Sequence, residues 1–224
     1  MRIGITIAHQ QQIVAAMRRI LRTQKWAAIA CLLLVIAGWT VPLHRATPLA
    51  VAMIQAAPGS GGGAGFLVTP QLLLTSANVI GSQQDVLVSF RNQAAIQAHV
   101  VFADRQHDVA LLELQSAATL PPLPLTDSNI VADRDEVKIA GYPGGDYADN
   151  QHATLSRRSP ELLTTDMPPL PGNSGGPLMH TDGTVIGLVE STAEFGGGQP
   201  SGTHVALPIN LVKKLCREQG HPID

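Results

Sequence analysis

A chain of 224 residues with 45% hydrophobic and 14% charged side chains is no disordered polymer, and it has room for one sizeable domain or two small packed halves. Its formal net charge of -2 is unevenly spread: residues 1–25 hold five basic side chains (Arg2, Arg18, Arg19, Arg22, Lys25) and no acidic one, which leaves 10 basic against 17 acidic over residues 44–224. The acidic remainder offers no nucleic-acid surface, and two cysteines, Cys31 in an apolar run and Cys216 near the end, make no disulfide framework.

Residues 1–25 carry a weak amphipathic pattern (Ile13, Val14, Met17, Ile20, Leu21) suited to a basic cytoplasmic segment at a membrane surface. Residues 26–43 form an 18-residue run without a charge, with Trp26 and Trp39 near its ends. Such a run is long enough to span a bilayer, and the basic flank places its N-terminal side in the cytoplasm. A single-pass anchor in the inner (cytoplasmic) membrane follows, with the rest of the chain on the periplasmic or extracytoplasmic side. A signal peptide cut at Ala50-Val51-Ala52 is the alternative.

Residues 44–63, with Pro48, Pro58 and the run Gly59-Ser60-Gly61-Gly62-Gly63, read as a flexible tether. Short apolar runs separated by turn residues then occupy 65–69, 72–75, 85–90, 95–103 and 109–114. After the break Pro121-Pro122-Leu123-Pro124 they resume at 136–142, 152–156, 161–165, 184–191 and 204–207. This spacing predicts an all-β sandwich or barrel in two halves. A closing helix begins at Pro208, shows Leu211, Val212 and Leu215 on one face, and stops at Gly220 and Pro222.

The chemistry concentrates in Pro171-Gly172-Asn173-Ser174-Gly175-Gly176-Pro177-Leu178. Three glycines and two prolines around one serine demand a sharp turn, in which Ser174 can expose its hydroxyl while its own amide and that of Gly172 form an oxyanion hole. The spacing also fits the nucleophile elbow of α/β-hydrolases, but that needs a helix directly after the serine. Gly175-Gly176-Pro177 opposes one, and 177–189 reads as a hairpin about Thr181-Asp182-Gly183. A serine hydroxyl needs a base, oriented by a carboxylate. Asp108 is the candidate carboxylate. The segment Leu73-Leu74-Thr75-Ser76-Ala77-Asn78-Val79-Ile80, where the base is sought, holds no histidine.

The string PGNSGGPL resembles the nucleophile motif of trypsin-like serine proteases. Together with Gly65-Phe66-Leu67-Val68, LLTSANVI, HDVALLEL, Leu163-Thr164-Thr165-Asp166, Asp182-Gly183-Thr184-Val185-Ile186-Gly187 and Val205-Ala206-Leu207-Pro208-Ile209-Asn210, it is similar in order to the HtrA/Deg branch of that family over about residues 60–216. The resemblance implies two six-stranded antiparallel β-barrels in a protease domain at 64–216 (first barrel about 64–120, second about 125–210), a 217–224 tail, and a site in the cleft between the barrels. It places the nucleophile on Ser174, the carboxylate on Asp108 and the oxyanion amides on Gly172 and Ser174. The family's histidine position falls on Asn78, and the chain ends about 14 residues after Asn210, without room for the PDZ domain of many members.

An amide has no basic lone pair near neutral pH, so Asn78 can bond Ser174 without taking its proton. Of the eight histidines, His204 sits nearest the place the resemblance gives the specificity pocket, and His107 should point away from the cleft. Two readings stand. One is a catalytically impaired pseudoprotease that binds a peptide or partner protein in the cleft. The other is an active serine endopeptidase in extracytoplasmic protein quality control, whose base comes from the substrate or another group. Pocket walls are expected from Pro168 and Leu170 before the nucleophile and from Leu188, Val189 and Glu190 after it, with peptide pairing along the latter strand. The loop 194–202 is expected to be a lid or a plain hairpin loop. No cofactor is implied, and no His, Cys and carboxylate cluster has metal-ligand spacing.

Overall fold

The strands follow from period-two burial. In β4, Asp85–Phe90, the side chains of Val86, Val88 and Phe90 are buried while Asp85 and Leu87 face solvent. The computed structural model describes residues 50–56, 62–167, 170–190 and 204–224, all within one compact unit over Pro48–Asp224. The strands around β4 are β1 (Val51–Gln55), β2 (Gly62–Leu67), β3 (Leu72–Thr75), β5 (Ile96–Asp104) and β6 (Val109–Leu114). They close antiparallel in the order β1-β2-β3-β6-β5-β4, a barrel that leaves no free edge. A one-turn helix α1, Ala77–Ile80, follows β3 and ends at Gly81.

The second barrel is built from β7 (Glu136–Gly141), β8 (Ala148–Arg158), β9 (Leu163–Thr165), β10 (Pro177–His180), β11 (Val185–Val189) and β12 (His204–Pro208), closed in the order β10-β11-β12-β9-β8-β7. Its interior holds Val137, Ile139, Leu155, Leu163, Leu178 and Ile186. A larger apolar cluster fills the first barrel and continues through Ala140, Tyr142, Met179 and Leu188 of the second. The linker is pinned to both barrels, because Leu123 N–H donates to Leu67 O (2.9 Å) and Val185 N–H to Pro124 O (2.8 Å). Helix α2, Ile209–Glu218, closes the chain and buries Ile209, Val212, Leu215 and Cys216. Burying a side chain such as Val212 or Leu215 stabilises by about 1.5–3 kcal/mol.

The stretch expected to be a tether contains β1. Val51, Ala52 and Ile54 are wholly buried, paired to β2 through Met53 and Ala64 and to β4 through Ala52 and Phe90. The strand is hard to read in sequence because its burial does not alternate and its partner begins with glycines. Strand β8 also runs past the expected 152–156, since its many half-exposed polar residues give little alternation. No helix among the described residues is long and apolar enough to cross a membrane. The run 26–43, read as an anchor, lies outside them.

Candidate functional site

The turn carrying Ser174 is shaped by contacts on both sides. Gly172 has φ +102° and Gly175 φ +82°, the left-handed region that side chains disfavour. A Cβ on Gly172 would stand 2.0 Å from Tyr142 O, and one on Gly175 would stand 2.2 Å from Ala64 O in the first barrel. The backbone carbonyls along the turn are all held: Gly144 N–H donates to Pro171 O (3.2 Å), Tyr142 N–H to Gly172 O (3.1 Å), Gly176 N–H to Asn173 O (2.9 Å) and Ala64 N–H to Ser174 O (2.7 Å). Every peptide here is trans, so each N–H points opposite to the carbonyl of its own unit. The amides of Gly172 and Ser174 therefore point away from Gly144 and Gly176.

Three elements bring the sequence candidates together. Asn78 sits in α1 and Asp108 immediately precedes β6 with φ +53°, a conformation held by its bonds to α1. Ala77 N–H donates to Asp108 O (3.2 Å), Asn78 N–H to Asp108 Oδ1 (2.7 Å) and Asn78 Nδ2 to Asp108 Oδ2 (2.8 Å). On its other side Asn78 Oδ1 accepts from Ser174 Oγ (3.1 Å). The amide orientation is fixed by chemistry, since the reverse would set a carbonyl oxygen against a carboxylate. Asn78 thus bridges the Ser174 hydroxyl and the Asp108 carboxylate, with an acceptor toward the first and a donor toward the second. Burial raises the Asp108 carboxyl above its ordinary range, opposed by the amides of Asn78 and Ala77.

The sequence did not point to Ser76. Wholly buried after β3, it places Oγ 2.9 Å from Ser174 Oγ and donates to Asn78 Oδ1 at 3.1 Å. Its one signal is a second hydroxyl residue in the segment searched for a base.

The expected pocket residues separate. Leu188 and Val189 are buried in the cores with their backbone engaged by the neighbouring strands and the turn, Val189 O accepting from Gly175 N–H (2.7 Å) and Val189 N–H donating to Gly176 O (2.8 Å). Leu170 is 37% exposed at the mouth of the turn, and Pro168 lies outside the described residues. Glu190 is buried just past β11, and burial together with the charge of Asp108 pushes its carboxyl up to about 8. His99 and His107 are engaged elsewhere, with Asp85 (3.0 Å) and Asp104 (2.7 Å). His204 is in β12, its side chain outside the described ones, as is the loop 194–202. Among the described residues no group of three His, Cys or carboxylate side chains is placed to hold a metal ion.

Residues 63–188, more than half of the chain, match the family model of the trypsin-like peptidase domain. A probable periplasmic serine endoprotease DegP-like from Halomonas elongata is 33% identical over 163 residues, covering 69% of this chain and 34% of that protein. Protease Do-like 1, chloroplastic, from Arabidopsis thaliana is 30% identical over 167 residues, covering 68% and 38%. The chain spans about a third of the length of these relatives. A serine endoprotease from Yersinia pestis superposes with a TM-score of 0.66 at 24% identity over 79% of this chain and 64% of its own, which shows the shared fold. A variant of the HtrA-type protease AlgW, solved with a tripeptide, gives 0.66 at 26% over 79% and 61%. The chain belongs to the trypsin-like peptidase domain family, and the relatives it matches there are serine endoproteases of the HtrA/DegP type.

Proposed function

We propose that the protein is a pseudoprotease that binds peptide in the cleft between its barrels without cleaving it. One observation carries this reading: the group that bonds both Ser174 Oγ and the Asp108 carboxylate is the neutral amide of Asn78. Attack by a serine hydroxyl needs a base within hydrogen-bond reach to take its proton, and an amide cannot hold one near neutral pH. Loss of the base alone lowers serine-protease turnover by on the order of 10⁶.

The amides of Gly172 and Ser174 are read as a retained oxyanion pair, here serving to grip a peptide carbonyl. Peptide would lie extended along the chain leaving β11 at Glu190, beyond the strand's own pairing, with Leu170 and Glu190 at the pocket and unfolded or partner proteins as its source. Residues 26–43 are read as an anchor, with the domain outside the cytoplasm. The periplasmic designation of the relative from Halomonas elongata supports that side. Burial of Val51 and Ala52 in β1 supports an uncleaved segment, since a cut after Ala52 would remove both from the barrel.

The test compares the natural full-length chain in detergent, Asn78→His, and Asn78→His with Ser174→Ala, for cleavage of an unfolded protein and for labelling by a serine-directed phosphonate. Cleavage and fast labelling in Asn78→His alone are expected. Cleavage by the natural chain that is lost in Ser174→Ala would overturn the reading.

A further inference from the structure

The segment Gly172-Asn173-Ser174 is gripped by a side chain from outside the expected site. Asn173 is 1% exposed, and its amide is paired head to tail with that of Gln151 in β8: Asn173 Nδ2 donates to Gln151 Oε1 at 2.8 Å, and Gln151 Nε2 to Asn173 Oδ1 at 3.2 Å. Gln151 stands opposite Ile139 of β7. The Asn173 side chain reaches it by crossing β7 at Gly141, where a Cβ would stand 2.6 Å from Asn173 Oδ1. A missing side chain in one strand thus opens the path between the turn and the next strand.

The pairing matters because of what the turn would do without it. Leu170-Pro171-Gly172-Asn173 closes with Asn173 N–H on Leu170 O (3.1 Å), with proline second and a positive-φ glycine third, the pattern of a type II turn. Gly172 is equally at home at negative φ, where the Pro171–Gly172 peptide turns over and its N–H points the other way. The amides of Gly172 and Ser174 lie on the two sides of Asn173, so fixing Asn173 fixes both.

We propose that Gln151 is a positioning residue: its amide pair with Asn173 holds the Gly172 and Ser174 N–H groups in the orientation that the site presents. This rests on the reading of those two amides as the oxyanion pair.

The test measures hydrogen–deuterium exchange of the full-length chain by mass spectrometry for the natural protein, Gln151→Leu and Gln151→Glu, with rates referred to those of an unstructured peptide at each pH. Loss of two hydrogen bonds should speed exchange over 170–176 about tenfold in Gln151→Leu, with β1 to β6 unchanged. Gln151→Glu is the sharper probe. Ionised, it accepts from Asn173 Nδ2 but has no proton for Oδ1; protonated, at about pH 4, it regains the donor, and protection should return. Unchanged exchange over 170–176 in Gln151→Leu, acceleration spread over both barrels, or a Gln151→Glu response independent of pH would each overturn the proposal. If Gln151→Leu does not fold, the pH response of Gln151→Glu decides alone.

A second measurement separates this proposal from the functional reading. In the Asn78→His background, Gln151→Leu should slow phosphonate labelling of Ser174 about tenfold by misaiming the two amides. A loosened segment with unchanged labelling keeps Gln151 as the anchor of the turn and removes the oxyanion role of the amides.

Discussion

Glu190 gives the fold a pH dependence that can be worked from the structure. Its carboxyl is 6% exposed, and burial with the nearby Asp108 charge moves it from an ordinary 4.5 to about 8. At neutral pH the folded protein therefore carries Glu190 protonated, whereas the unfolded chain ionises it. Folding retains a proton that the unfolded chain loses, so stability is fully present below about pH 4.5 and declines as pH rises toward 8. At about 1.4 kcal/mol per pH unit, the decline comes to about 5 kcal/mol in all. For a domain of this size that is roughly 10–20 °C in Tm. Glu190→Gln keeps the shape of the protonated acid and removes the proton. Thermal unfolding from about pH 4 to pH 9, followed by near-UV circular dichroism, should show the two chains together in acid and Glu190→Gln rising above the natural protein in alkali. Asp108→Asn should make the decline smaller and end it at lower pH, because the ionised neighbour that helps hold the Glu190 proton is gone. Parallel curves for the natural chain and Glu190→Gln would refute the argument.

Other perturbations have equally direct readouts. Gly175→Ala forces a Cβ toward Ala64 O at positive φ, and denaturant unfolding should show a loss of about 3 kcal/mol. Ser76→Ala strips a buried hydroxyl from Ser174 and Asn78 and should cost about 1 kcal/mol in the same assay. Phosphonate labelling of Ser174 in the natural chain should climb about tenfold per pH unit across the neutral range, whereas Asn78→His should reach a plateau once its imidazole is neutral. Burial raises the Cys216 thiol to about 11, so in a Cys31→Ser chain a thiol reagent should label it only as fast as the protein unfolds.

What could be read from the sequence was what local backbone chemistry dictates. Gly172 and Gly175 announce positive φ, Thr181-Asp182-Gly183 announces a hairpin, and Gly220, with φ +83°, announces the end of α2. What could not be read depends on partners far along the chain. Ser76 acquires its place from Ser174, 98 residues away, and Gln151 from Asn173, 22 residues away. Neither residue type is unusual in its own segment. Strand β1 was hidden for the same reason, since Val51-Ala52-Met53 becomes a strand through β2 and β4 and not through its own pattern. Glu190 reads as a pocket wall, and its burial is not visible in the sequence because carboxylates are mostly exposed by type.

The same distinction bears on why a serine motif should persist beside an amide. An intact PGNSGGPL is weak evidence for catalysis if each member has another reason to stay, and here most do. Gly172 and Gly175 admit the backbones of Tyr142 and Ala64, Asn173 clamps onto Gln151, and the Ser174 carbonyl takes Ala64 N–H from the first barrel. The Ser174 hydroxyl itself bonds Asn78 and stands 2.9 Å from the wholly buried Ser76 Oγ, so its removal would cost a hydrogen bond of about 1 kcal/mol. The turn is thus a joint between the barrels as well as the seat of Ser174. Catalysis alone requires a base beside the Ser174 hydroxyl, and the group bonded there is the Asn78 amide. On the proposed reading, a joint kept for stability and a base given up are compatible within one molecule. A base kept without the joint would not be, because the turn that aims Ser174 is the contact that holds the cleft together.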